Sequence, residues 1–169
     1  MYPSAFTHAP QIDDKTRVAS SVTITTTLSG NESVATTLPD RSLTPGVVSM
    51  VDSSRVCELG FSSTIRPKGR LWRHLRDEAF RRYHISRGHR SEKDNTGARH
   101  PAYQIDHLIP VELGGDPTDI RNLWPQPIAS AKKKNVVENE LHARVCSGQM
   151  TLNEAQSRIA KDWTTATLQ

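Results

Sequence analysis

Residues 103–127 constrain the fold more than any other stretch, because Pro110, Pro117, Pro125, Pro127 and the pair Gly114-Gly115 forbid a continuous helix through them. Only short extended runs remain. Residues 103–111 are apolar and β-branched, which predicts a strand that Pro110 ends or bends. Asn122-Leu123-Trp124 offers a second short strand, stopped by Pro125 and Pro127, and Gly114-Gly115-Asp116-Pro117 is the turn signal between the two. Two strands joined by a loop are predicted.

Helical patterns flank this stretch. Over residues 130–145, Val137, Leu141 and Val145 recur every fourth position, and Gly148 follows as a stop. Thr151-Leu152-Asn153-Glu154 is a capping box that opens a last helix, with Leu152, Ala155, Ile159 and Trp163 as its buried stripe. Upstream, over residues 70–83, Leu71, Trp72, Leu75, Ala79, Phe80 and Tyr83 fall on one helix face, while Arg70, Arg73, His74, Asp77 and Arg81 take the other. Residues 86–101, with two glycines and almost nothing apolar, read as an exposed basic loop. Trp124 and Trp163 read as core. The class is α+β: a small antiparallel hairpin packed on a helix, with further helices supplying the core.

Only 35% of residues are apolar and the mean hydropathy is −0.58, so part of the chain is expected to bury too little surface to offset its ordering entropy. Residues 1–37, rich in Ser and Thr, are expected to form a disordered arm. Residues 39–46, punctuated by Pro39, Pro45 and Gly46, start the ordered part. Residues 38–100 then form a basic segment packing on a core of residues 101–169. No run approaches the roughly 18 apolar residues of a membrane span. Residues 1–30 carry Asp13 and Asp14 and no apolar signal region, so a cytoplasmic setting is expected from the sequence as written.

Charge narrows the partners. Residues 66–100 hold eleven Lys and Arg against four acids. Such a block suits a polyanion, whose counterions it releases; the alternative is a solvated helix face. The two cysteines, Cys57 and Cys146, form no CxxC pair, which excludes a structural zinc site made of cysteines alone and leaves either one long-range disulfide or two buried thiols.

Asp106-His107-Leu108-Ile109-Pro110, then Gly114-Gly115, then Asn122-Leu123, then a lysine-rich helix start ending in Asn135, together resemble the HNH, or ββα-metal, nuclease superfamily. More closely, the chain is similar to small bacterial HNH-like proteins in which a Pro-Asp-Arg-x-Leu-Thr-Pro-Gly stretch, here residues 39–46, precedes the nuclease motif. The resemblance runs over residues 38–163. It implies a hairpin-helix core that presents one divalent metal ion, Mg²⁺ or Mn²⁺, to DNA, with RNA not excluded. Relatives with export signals imply secretion as the alternative setting. Oligomeric state is not legible.

Phosphodiester hydrolysis needs a deprotonated water in line with the leaving oxygen and a cation to neutralise the charge that develops there. The resemblance places the general base on His107, and imidazole titrates in the right range. Asp106, its neighbour, is a hard oxygen ligand suited to Mg²⁺ or Mn²⁺; otherwise it caps a turn. Asn122 takes the superfamily's central Asn position, fixing the loop and orienting the base. Asn135 stands where the last metal ligand is expected and is equally readable as a solvated helix position, while His142 lies two turns further on. Arg66, Arg73, Arg81, Arg121, Lys132, Lys133 and Lys134 are the candidate phosphate contacts. The implied activity is metal-dependent DNA hydrolysis; the alternatives are a catalytically inactive nucleic-acid-binding protein of the same fold and a secreted or toxin-type nonspecific nuclease.

Overall fold

A computed structural model describes residues 38–168, so the expected disordered arm over residues 1–37 lies outside the described residues. The described chain is mixed α+β, with five α-helices and two two-stranded antiparallel sheets. In order they are α1 (Ser53–Val56), α2 (Phe61–Ile65), α3 (Gly69–Arg82), β1 (Ser91–Lys93), β2 (Arg99–Pro101), β3 (Tyr103–His107), β4 (Leu123–Pro127), α4 (Ile128–Cys146) and α5 (Leu152–Asp162).

The central hairpin is β3 with β4, in a register that sets Asp106 opposite Trp124 and His107 opposite Leu123. Successive strand residues face opposite sides, so the hairpin has two faces. Ile105 and Leu123 on one face meet Leu75, Ala79 and Trp72 of α3, and Tyr103 meets Phe80 edge-on. Asp106 on the other face meets α4. A second, larger cluster joins Val56 and Phe61 to Ile109, Leu113, Leu141, Val145, Leu152, Ile159 and Trp163, so residues from both sides of position 100 share one core. Trp124 and Trp163 are buried, as core aromatics should be.

Several expectations need correction. The first strand stops at His107, and residues 111–113 form a 3₁₀ turn. The second strand runs through both prolines that were expected to stop it. Backbone pairing alternates along an antiparallel ladder, and Leu108 N donates to Asn122 O at 2.8 Å. Pro125 and Pro127 therefore occupy the intervening, non-hydrogen-bonded positions, where a missing N–H costs the ladder nothing. The basic segment over residues 86–101 is exposed but not merely loop, since β1 and β2 pair within it and Asp94 accepts from Thr96 N and Ala98 N at the turn. Helices α1 and α2 are too short to leave a periodicity.

Thr151 caps α5 as expected, its hydroxyl accepting from Glu154 N at 3.2 Å, while the Glu154 carboxylate turns to Arg158. Cys57 and Cys146 are joined by a disulfide with Cα atoms 5.6 Å apart, tying the end of α1 to the end of α4. The stretch over residues 39–46 is a backbone clamp. Buried Thr44 donates its hydroxyl to Leu123 O, and Arg82 donates to both Leu43 O and Ile120 O.

Candidate functional site

His107 ends β3 as a buried residue, 3% exposed. Its Nε2 lies 3.1 Å from Pro117 O. A carbonyl only accepts, so Nε2 carries the hydrogen, and in the neutral ring the lone pair is on Nδ1. The ring stacks on Trp72 of α3, with centroids 6.3 Å apart and planes 16° from parallel. Burial pushes the imidazole below its usual pKa, and the nearby Arg66 and Lys134 charges push the same way; the Pro117 contact and Asp106 oppose them. His107 is therefore a neutral, oriented imidazole at neutral pH.

The carbonyl that orients it belongs to a loop pinned by Asn122. This side chain is wholly buried; its Oδ1 accepts from Ile109 N, and its Nδ2 donates to Ile109 O and Asp116 O, each at 3.0 Å. Pro117 follows Asp116 directly. The loop turns tightly at Gly115, where an added Cβ would lie 1.8 Å from Ile109 O, closer than any side chain permits. The neighbouring Gly114 adopts φ +73°, which favours glycine.

On the opposite face of β3, Asp106 Oδ2 accepts from Lys134 Nζ at 2.9 Å. Lys134 has no exposed surface; its ammonium also donates to His107 O at 2.7 Å and to Glu138 Oε1. Burial works against this ammonium, but the charges of Asp106 and Glu138 outweigh it, so its pKa ends above the usual lysine value. Glu138 shifts upward too, chiefly through burial; the Lys134 charge opposes the rise, and the charges of Asp106 and Glu112 add to it. Glu112 Oε1 is itself buried with no hydrogen-bond partner. Asp106 and Glu138 thus share one ammonium, and Glu112 lies near enough for its charge to act on Glu138.

Lys134 is a correction to the expected phosphate contacts, because its hydrogens are spent inside the protein and no phosphate backbone can reach it. Lys132, Lys133, Arg66 and Arg73 are exposed. Arg81 and Arg121 are exposed as well but held by Glu78 and Asp119, at 2.5 and 2.6 Å. Arg66 lies near enough to His107 for its charge to lower that pKa. Asn135 is exposed, about 100° round α4 from Lys134, and therefore off the stripe that meets Asp106.

Sequence reading missed Trp72, Glu112 and Glu138 as neighbours of the site. The α4 signal was present: Lys134 and Glu138 lie at i,i+4 on the same buried stripe as Ala131, Leu141 and Val145. Two charges inside an apolar stripe must be paired with each other or with a third group. Trp72 and Glu112 carried no comparable signal. Among the described residues, no helix is long and apolar enough to cross a membrane. No protein-family model, curated protein or solved structure matches the chain.

Proposed function

We propose that this chain is a metal-dependent endonuclease of the HNH type that hydrolyses DNA phosphodiester bonds, with His107 as general base. The observation that carries the reading is the His107 Nε2 contact to Pro117 O at 3.1 Å. A base that must take a proton from water needs one ring nitrogen anchored as donor and the other left as acceptor, with a pKa low enough to be neutral at work. His107 has that arrangement. The succession of β3, β4 and α4, with His107 and Asp106 at the end of the first strand, supports a ββα-metal core.

The oxygen donors beside His107 are of the kind a hard divalent cation takes, but the Lys134 ammonium bridges Asp106 and Glu138, and among the described residues these carboxylates do not converge as a ligand group. Glu112 Oε1 is a buried acceptor without a hydrogen-bond partner. We assign Asp106 as the principal ligand; Asn135 remains the expectation of the resemblance without support from its position. Mg²⁺ or Mn²⁺ would supply charge neutralisation at the leaving oxygen.

The chain's own residues do the rest. His107 Nδ1 accepts the proton of the attacking water, Pro117 O stabilises the imidazolium that results, and Asn122 holds that carbonyl in place through Asp116. Arg66, an exposed cation whose charge reaches His107, draws in the phosphate, and Arg73, Lys132 and Lys133 extend the contact along the backbone. Lys134 holds the Asp106 carboxylate in place.

The inactive, DNA-binding alternative draws on one observation: Lys134 already neutralises Asp106. A plasmid-nicking assay with Mg²⁺ or Mn²⁺ separates the two readings. Metal-dependent nicking supports the enzyme; DNA binding with no nicking in either metal supports the binding protein.

A further inference from the structure

A second group of ligand atoms lies at the far end of α4, roughly 12–18 Å along the helix from Lys134 at about 1.5 Å per residue. Cys57, His142 and Cys146 bring one ligand atom each to within 4.8 Å of one another. His142 and Cys146 are one turn apart on α4, and Cys57 follows the last residue of α1. His142 Nε2 is 3.0 Å from Val56 O and 3.5 Å from Cys146 Sγ. Both cysteines are exposed, so the disulfide is open to a reductant and the ligands to a metal ion.

We infer that the Cys57–Cys146 disulfide masks a thiolate–imidazole metal site of the zinc class, which forms on reduction. The step begins with a dithiol. One of its thiolates attacks a disulfide sulfur to give a mixed disulfide, and its second displaces the protein sulfur and leaves as a cyclic disulfide. Two electrons and two protons thereby pass to Cys57 and Cys146 as thiols. Binding Zn²⁺ then releases both thiol protons, leaving two thiolates and the His142 imidazole as ligands.

The geometry suits this. Sulfurs bound tetrahedrally at about 2.3 Å from zinc sit about 3.8 Å apart, inside the spread of the present ligand atoms. Their parting needs only side-chain rotation between Cα atoms 5.6 Å apart. His142 keeps the hydrogen on Nε2 while that atom donates to Val56 O; ligation at Nε2 moves the hydrogen to Nδ1 and gives up that bond. The helical i,i+4 spacing of His142 and Cys146 is what lets both point at one ion. Soft sulfur donors also separate this site from the carboxylate of Asp106, which suits hard cations.

The test uses the full chain, reduced with a dithiol, desalted without oxygen and titrated with Co²⁺. One equivalent should raise thiolate-to-cobalt charge-transfer and tetrahedral d–d bands that Zn²⁺ then removes; the oxidised chain should show none. Co²⁺ at the carboxylates gives no thiolate band, so the two sites are told apart. His142→Ala should weaken binding about tenfold or more, and Cys57→Ser with Cys146→Ser should abolish the bands while circular dichroism stays native. The inference is overturned by reduced wild type without thiolate bands, by bands that arise only in unfolded chain, or by His142→Ala binding as tightly as wild type.

Discussion

Lys134 places its ammonium 2.9 Å from Asp106 Oδ2 with no access to solvent, and the same nitrogen bonds the carbonyl of His107. One side chain therefore ties α4 to both Asp106 and His107, the pair proposed to act in hydrolysis. Removing one partner of a buried ion pair leaves an uncompensated charge, which costs about 3–5 kcal/mol. Lys134→Met should lower unfolding free energy by that amount at pH 7, measured by urea denaturation. The loss should shrink toward acid pH, because Glu138, whose pKa burial already raises, can then be buried neutral. A loss of about 1 kcal/mol or less would mean the triad is not formed as described.

Asn122 makes three hydrogen bonds in a fully buried setting. Asn122→Ala strands Ile109 N–H and two carbonyls and should cost about 2–4 kcal/mol. Nicking should fall further than the stability loss explains, since the loop that presents Pro117 O to His107 loses its anchor. Normal activity in the folded variant would detach Asn122 from the base.

How much of this was open to sequence reasoning depended on the range of the interaction. Helix α5 was legible because its signal is local: the Thr151 cap and a four-residue apolar period. The two short strands were legible as existing but not in extent. Whether Pro125 and Pro127 break a strand depends on which side of the ladder their nitrogens face, a property of register with β3 that no local pattern carries. His107, Asp106 and Asn122 came from a motif, whereas Glu112 entered only because a 3₁₀ turn carries it toward Glu138. Lys134 was misread because a lysine in a basic run looks exposed until the helix phase is fixed by Ala131 and Leu141.

The pH dependence of cleavage should report the His107 environment. Burial lowers its pKa, so activity should be full at pH 7 and fall only as pH drops below the usual imidazole value of about 6.5. Trp72→Ala exposes the ring, which lets the pKa rise and moves the acid limb to higher pH. A profile unmoved by Trp72→Ala would show that some other group sets the limb.

DNA affinity should be salt-dependent in proportion to the exposed cations near the site. With Arg66, Arg73, Lys132 and Lys133 each neutralising one phosphate, log K should fall with log salt at a slope of roughly −3.6, and each Ala substitution should reduce it by about 0.9. Fluorescence anisotropy on a short duplex over a range of salt concentrations measures this. A slope near zero would reduce the basic block to a solvated surface.

The central claim is that His107 is the general base, and a plasmid-nicking time course on His107→Ala beside Asp106→Ala tests it most directly, with Mn²⁺ calorimetry on the same samples. Losing a base without losing a metal ligand should slow nicking by about 10²- to 10⁴-fold while Mn²⁺ and DNA binding persist. Asp106→Ala should lose nicking and Mn²⁺ binding together. Wild-type nicking by His107→Ala in metal-replete buffer would contradict the account.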